Sequence, residues 1–443
     1  MSASPAPAGH VDDLIARHYA REGGHLHVGG VPIGDIVQRH GTPLYVYDQA
    51  TLHRQWQVLR DALPPRFDIF YSVKANPNQA LLRFFVGQGC GLEIASAGEL
   101  HQALAAGCAP DRIVFAGPGK REEELALALR HGIGEIHVES LTEARRLAAL
   151  AAERAQPARI ALRINPAAAV EGGGMRMGAR AVPFGIDEDQ LDTVLEELLR
   201  EPWLRVVGLH LFVGTQILDH QTLLGQYRAG LDIARRMAAA LGGPLRTIDF
   251  GGGLGVPYFA HEQRLDMDAL REGLAELVDG LAGDPAFAGT ALMVEPGRFL
   301  VAEAGVYVAR VVDVKHSRGR TFVIADGGMH HHLAASGNLG QTIKRNFPVA
   351  LLNRLDEPAA AADVDIVGPL CTPLDVLARG IAVPEPTIGD LVGVFQSGAY
   401  GRAASPLGFL SHDAPAEVLV ENGRDRLVRR RGRPQDYLAD QPA

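Results

Sequence analysis

The sequence feature that most restricts the fold is a regular alternation of short β-type runs with helical segments between about Phe67 and Val301. The β-type runs are rich in Val, Ile, Leu and Phe, whereas the segments between them are rich in Ala, Leu, Glu and Arg. The eight runs are 67–76, 91–96, 112–120, 135–140, 159–166, 205–216, 246–255 and 291–301. Eight β/α units of this length predict a parallel (β/α)8 barrel of the TIM type. An open, doubly wound sheet gives the same alternation, because periodicity does not report whether the first and last strands pair.

The alternation of β-type and helical segments ends near residues 301–306. Beyond this point the helical segments stop, and β-type runs follow one another at short spacing. This change predicts a second, mostly β domain after the barrel. We divide the chain into a flexible N-terminal tail (1–30), a strand segment (31–50), the barrel (51–303) and a C-terminal β domain (304–435).

The composition is that of a globular protein, since 47% of the 443 residues are hydrophobic and 21% are charged. The net charge of −9 argues against a nucleic-acid partner. The first ten residues lack the features of a secretory signal, and no apolar run reaches the roughly 18 residues that span a bilayer. We therefore expect a cytoplasmic protein without a membrane partner. The cysteines, Cys90, Cys108 and Cys371, are too far apart for a disulfide framework or a zinc knuckle.

A lysine, Lys74, follows the first β-type run directly, in YSVKAN. Functional groups of a (β/α)8 barrel gather at the C-terminal ends of the strands. A partly desolvated lysine amine at that place can condense with an aldehyde to form a Schiff base. A solvated surface lysine explains the residue equally well when YSVKAN is considered alone.

Two more motifs stand at predicted strand ends. The glycines Gly251, Gly252 and Gly253 provide backbone N–H groups that can converge on an anion, although a sharp loop needs glycine too. In EPGR, Glu295 can bond the nitrogen of a pyridine ring, and Arg298 can bind a phosphate or a carboxylate. A surface ion pair is the simpler explanation of EPGR alone.

The predicted β domain contains three further candidates. Cys371, in GPLCTPLD, is either a buried apolar residue or a working thiol, and Tyr400, in SGAYG, is either a core aromatic or a phosphate donor. In DGGMHHHL, a strand would turn only His330 and His332 to one face. Since no further ligand is evident nearby, we predict no metal site.

Taken in order, these motifs resemble the fold-type III, pyridoxal-phosphate-dependent decarboxylases, a group that includes diaminopimelate and ornithine decarboxylases and is distantly similar to alanine racemase. The resemblance extends from about residue 35 to 430 and rests on YSVKAN, GLEIASAGEL, RINP, GLHLFVGTQ, DFGGGLG, EPGR, DGGM, GPLC and SGAYG. It implies an alanine racemase-like barrel and the cofactor pyridoxal 5′-phosphate. It also implies that the strand near 43–48 joins the β domain.

The resemblance assigns roles to individual residues. Lys74 would form the Schiff base with the cofactor, and Cys371 would be the second catalytic residue. The cofactor would be held by Glu93, Phe212, Gly251, Gly252, Gly253, Glu295, Arg298 and Tyr400, and the substrate by Arg298, Thr372 and His331. The family further implies a homodimer in which Cys371 of one subunit reaches the cofactor of the other.

Two departures from diaminopimelate decarboxylases bear on the substrate. Those enzymes usually have histidine where this chain has Phe212, and an acidic residue that holds the distal amino group of the substrate where this chain has Thr372. Other motifs are closer to the L-glutamyl-[acyl-carrier protein] decarboxylase branch and to the exosortase A system-associated branch. We therefore expect a decarboxylase of an amino acid or of an aminoacyl-carrier protein, in secondary-metabolite or exopolysaccharide biosynthesis.

Three alternatives stay open at this point. The first is a diaminopimelate decarboxylase of lysine biosynthesis, and the second is an amino-acid racemase with the same cofactor. The third is a non-catalytic relative that binds a protein partner. Retention of Lys74, Glu295 and Cys371 argues against the third, and an acid rather than an arginine at the pyridine nitrogen favours decarboxylation over racemisation.

Overall fold

A computed structural model describes residues 9–167, 175–176, 181–212, 214–341, 343–360 and 362–442 of the chain. The chain forms two compact units. The barrel unit consists of Gln57–Val256 and Gln263–Gly297, and the β unit consists of Met1–Trp56, Pro257–Glu262 and Arg298–Ala443.

The barrel unit contains eight parallel strands that close into a ring. They are β1 (Phe67–Ser72), β2 (Gly91–Ile94), β3 (Ile113–Phe115), β4 (Glu135–Val138), β5 (Ala158–Asn165), β6 (Leu204–Leu211), β7 (Thr247–Asp249) and β8 (Ala291–Val294). Each strand pairs with the next, and β8 pairs with β1, where Val294 lies opposite Ile69. The predicted (β/α)8 barrel is therefore confirmed, and the open sheet is excluded.

Amphipathic helices connect the barrel strands and bury one apolar face each. Their bounds are Gln79–Gly87, Ala97–Ala105, Glu122–His131, Leu141–Glu153, Leu191–Leu198, His220–Leu241 and Met267–Asp279, and Gln49–Ala62 precedes β1. Ser96, Ser140 and Asp219 cap helix starts by accepting a backbone N–H three residues on, which is worth about 1 kcal/mol each. In the described part of the chain, no helix is long and apolar enough to cross a membrane.

The β unit is built around a long strand, Gly305–Ser317. The remaining strands of this sheet are Leu44–Asp48, Arg320–Ala325, Val349–Leu351, Val364–Val367, Val376–Ile381, Leu391–Val394, Ala416–Glu421 and Arg424–Arg429. Leu44–Asp48 lies between Gly305–Ser317 and Ala416–Glu421 and pairs with both. The predicted mostly β domain is thus present, and it includes the strand near 43–48.

The N-terminal prediction was wrong for residues 10–30. Helix His10–His18 and strands Ala20–Glu22 and His25–Val28 stand where we predicted a flexible tail, and strand Val31–Pro32 and helix Ile33–His40 follow within the predicted strand segment. Leu14, Ile15, Leu26 and Val28 are buried in the core of the β unit, which explains why this segment is ordered. Residues 1–8 lie outside the described residues.

Candidate active site

Lys74 lies just beyond the C-terminal end of β1, in the short helical turn Val73–Ala75. Its Nζ is 3.0 and 2.9 Å from the two carboxylate oxygens of Glu93, on β2. The lysine side chain is 44% exposed whereas that of Glu93 is buried, and the hydroxyl of Ser72 donates to the same carboxylate. Glu93 therefore holds the lysine amine beside the C-terminal end of β1 by accepting its hydrogen bonds.

The glycine run follows β7 in a conformation that side chains would not fit. Gly251 and Gly253 have φ angles of 68° and 106°, in the region that favours glycine. A Cβ atom on Gly251 would lie 2.4 Å from the carbonyl oxygen of Leu211, and one on Gly252 would lie 2.7 Å from that of Glu295. The loop is therefore a cradle of bare backbone at the same end of the barrel as Lys74.

Phe212, directly after β6, lies beside this cradle. A Cβ atom on Gly251 would be 3.1 Å from Cδ2 of Phe212. The guanidinium carbon of Arg163 is 5.8 Å from the centre of the Phe212 ring, and the Arg163 group donates to Glu139 at 2.8 Å. This position suits a ring that stacks on a flat ligand.

Glu295, the residue after β8, belongs to a buried cluster of four titratable side chains that the sequence analysis did not predict. The other members are His137, His210 and Asp249, and a polar atom from each lies within 4.8 Å of those of the others. Each of these three occupies a strand end with apolar neighbours, in EIHV, GLHL and TID. An isolated polar residue at that position of a barrel strand is the signal that could have identified them.

A second set of predicted residues lies in the β unit, around Arg298. Its Nη1 donates to the hydroxyl of Tyr258 at 3.2 Å, and its guanidinium carbon is 4.8 Å from the ring centre of Tyr400 and 5.5 Å from that of Tyr258. The Nε atom is buried and has no partner among the described residues. A buried guanidinium that lacks an acidic partner in the described chain is suited to bind an anion.

The loop that carries Cys371 and Thr372 is held by a residue that the sequence analysis missed. Cys371 is exposed, and the carboxylate of Asp375 accepts hydrogen bonds from the backbone of Leu370 at 2.8 Å and of Met329 at 2.6 Å. Asp375 thereby joins the cysteine loop to the DGGM loop, within the β unit.

The environment of His331 does not suit its predicted role in substrate binding. Nε2 lies 3.0 Å from the carbonyl oxygen of Asp413, and Nδ1 lies 3.3 Å from the hydroxyl of Tyr307. Burial lowers the pKa of His331 to about 2, so the ring is neutral and both its nitrogens are engaged. His331 thus supports the loop. His330 lies in a turn and His332 outside any strand, whereas we considered a strand there, and Nε2 of His332 lies 2.9 Å from Oγ of Ser397.

The residues fit a phosphorylated pyridine aldehyde. Lys74 offers a primary amine at the barrel mouth, and Oε1 of Glu295 is buried without a partner in the described chain. The glycine cradle and Arg298 offer the kinds of group that bind phosphate. The assignment of individual residues to these roles stays a prediction.

Comparisons with known proteins agree with this chemistry. The sequence profile of the pyridoxal-dependent decarboxylases, for their pyridoxal-binding domain, matches residues 49–302. An L-glutamyl-[BtrI acyl-carrier protein] decarboxylase from Niallia circulans is 38% identical, with 92% of this chain and 95% of that protein aligned. A diaminopimelate decarboxylase from Methanothermobacter thermautotrophicus is 33% identical, over 94% of this chain and 96% of the relative.

Among solved structures, diaminopimelate decarboxylase from Helicobacter pylori in complex with L-lysine superposes with a TM-score of 0.81 at 28% identity. The match covers 92% of this chain and 98% of that one. The family profile spans more than half of the chain, and both relatives align over nearly their whole length. The chain therefore belongs to the family of pyridoxal-dependent decarboxylases and is a carboxy-lyase that uses pyridoxal 5′-phosphate.

Proposed function

We propose that this enzyme removes the α-carboxylate of an aminoacyl group, of the glutamyl type, that is tethered to a carrier protein. The reaction would serve secondary-metabolite or exopolysaccharide biosynthesis in the cytoplasm. The relative from Niallia circulans, which acts on a carrier-bound glutamyl group, supports this choice. Decarboxylation of free diaminopimelate is the main alternative, because several relatives carry that name.

The observation that carries the proposal is the chemistry of the cysteine loop. Thr372 stands where diaminopimelate decarboxylases have an acid, and the acid of this loop, Asp375, is buried and bonded to two backbone amides. Leu374 is instead exposed. Among the described residues, residues 371–375 therefore offer no free carboxylate to a distal ammonium group, which suits a substrate whose far end is uncharged.

Each of the predicted residues has a defined task in this reaction. Pyridoxal phosphate, when bound, supplies a ring that accepts the electrons left behind when CO2 departs. Lys74 would be the residue that attaches the cofactor, and Glu93 would hold the lysine amine at the barrel mouth. Glu295 would hold a proton at the ring nitrogen, and Cys371 or Lys74 would return a proton to the substrate carbon.

Exchanging Thr372 for glutamate tests the substrate assignment. An added carboxylate would attract the distal ammonium of a diamino acid, so we expect the ratio of kcat/KM for free diaminopimelate to that for the tethered substrate to rise about tenfold. Thr372→Gln has nearly the same size without the charge and is expected to leave the ratio unchanged. An equal effect of both variants would mean that residue 372 does not face the distal end of the substrate.

We further propose a homodimer whose active sites combine Lys74 of one subunit with Cys371 of the other. Mixing inactive Lys74→Ala and Cys371→Ala proteins under conditions of subunit exchange should then restore about a quarter of wild-type activity, since half the dimers are mixed and each has one intact site. CO2 release after mixing measures this recovery. No recovery, with exchange verified by differently tagged subunits, would place both residues in the same subunit's site.

A further inference from the structure

Glu295 has an unpredicted acidic neighbour at the C-terminal end of β7. A carboxylate oxygen of Asp249 lies within 4.8 Å of one of Glu295, and Oδ1 of Asp249 accepts the backbone N–H of Gly251 at 2.8 Å. Both acids are buried, and the backbone N–H of Glu295 donates to the carbonyl oxygen of Gly251 at 2.8 Å. The glycine cradle thus holds the two carboxyl groups close together.

Two histidines complete the surroundings of this pair. Nε2 of His210 lies 3.5 Å from Oε2 of Glu295, Nδ1 of His137 lies 3.9 Å from Oε1, and the two imidazole centres are 4.4 Å apart. Both nitrogens of each ring, Oδ2 of Asp249 and Oε1 of Glu295 are buried without a hydrogen-bond partner in the described chain. Buried polar atoms left in this state cost about 1–3 kcal/mol each, so their retention indicates a task other than stability.

The charges in the cluster favour a protonated Asp249. Burial first, and then Glu295, raise the pKa of Asp249 well above its usual range. Burial and nearby cationic groups hold the pKa values of His137 and His210 well below the usual range, so both rings are neutral. The other titratable groups whose charges act on these side chains are Glu93, Lys74, Lys120, Glu135, Arg163 and Tyr227. Two buried carboxyl groups this close together are disfavoured from both ionising.

We propose that Asp249 is the positioning residue of the pyridine site: it shares one proton with Glu295 and stores that proton where Glu295 meets the ring nitrogen. When a pyridine ring enters, the shared O–H bond breaks and an N–H bond forms, which leaves both carboxylates ionised beside one new cation. The net charge of the buried site is the same before and after this transfer. The ring nitrogen is therefore protonated without drawing a proton from solvent.

The number of protons that the protein takes up when a ligand binds tests this proposal, and the measurement needs no catalytic turnover. The probe is pyridoxine 5′-phosphate, which has the ring and the phosphate but no aldehyde to react with Lys74. Calorimetric titration is done about one pH unit above the point at which the free probe loses its ring-nitrogen proton, so that the ring arrives unprotonated, and two buffers of different ionisation enthalpy give the number of protons taken up on binding. We expect Asp249→Asn to take up about one proton more than the wild type, because the ring must then obtain its proton from solvent. Equal proton uptake by the two proteins would overturn the proposal.

Further variants separate the role of the acid pair from a general effect on the fold. Asp249→Ser also removes the shared proton while it keeps Glu295, and should show the same added uptake, so a failure of Asp249→Asn to fold does not prevent the test. His210→Asn keeps the pair and should match the wild type.

Elemental analysis addresses the rival occupant, a divalent metal bound by the same four side chains. Stoichiometric zinc that Asp249→Asn loses and pyridoxine 5′-phosphate displaces would overturn the proton-sharing role. The test does not depend on the substrate, so its result is independent of the carrier-protein proposal.

Discussion

Replacement of Lys74 by alanine is expected to lower kcat by more than about 10³-fold and to abolish the visible absorbance of the bound cofactor. Lys74 is the residue at the end of β1 whose amine lies beside Glu93, on the open side of the barrel. Without that amine the protein can hold the cofactor only through its ring and phosphate contacts. Single-turnover CO2 release and an absorbance spectrum of the same sample measure both effects.

An exposed lysine of the β unit provides the control for this experiment. Lys315→Ala removes the same charge from a solvated position and should retain both activity and absorbance. A Lys74→Ala protein that still turns over at a rate near that of wild type would show that another group attaches the cofactor.

The second large effect concerns Glu295. We expect Glu295→Gln to lower kcat by about 10²- to 10³-fold, because an amide does not hold the pyridine ring in its protonated, electron-accepting form. The backbone contact between Glu295 and Gly251 does not involve the side chain, so the loop geometry should survive. Steady-state kinetics with saturating cofactor separate this loss from weaker cofactor binding.

A conservative variant distinguishes the chemical role of Glu295 from a packing role. Glu295→Asp keeps the charge and should recover part of the rate that Glu295→Gln loses. If Glu295→Gln and Glu295→Asp were equally impaired, the length of the side chain rather than its charge would matter. Wild-type kcat in Glu295→Gln would remove the acid from the mechanism.

Most of the barrel could be predicted from the sequence because the parallel strands, which are largely buried, are short runs rich in apolar residues. The alternation of strands and helices did not by itself exclude an open sheet, since closure depends on pairing between Val294 and Ile69, which are far apart in the chain. For a related reason, we did not predict that residues 10–30 form ordered secondary structure. Leu14 and Leu26 become buried only because of the partners they meet in the β unit.

The candidate site was predictable where a residue belongs to a motif and not where it depends on three-dimensional neighbours. Lys74 and the glycine run stand out at strand ends. Asp249 and His210 are single polar residues in β-type runs, and only the closed barrel brings them to Glu295. Asp375 was overlooked because its function is to bond backbone amides that belong to two loops.

The most direct test of the proposed activity is CO2 release by the purified protein with pyridoxal phosphate, with Lys74→Ala as the blank. The substrates to compare are glutamyl-carrier protein and free glutamate, lysine, ornithine and diaminopimelate. We predict release from the tethered glutamyl group and none above the blank from the free amino acids. Efficient release from free diaminopimelate, with none from the tethered substrate, would contradict the proposal and assign the enzyme to lysine biosynthesis.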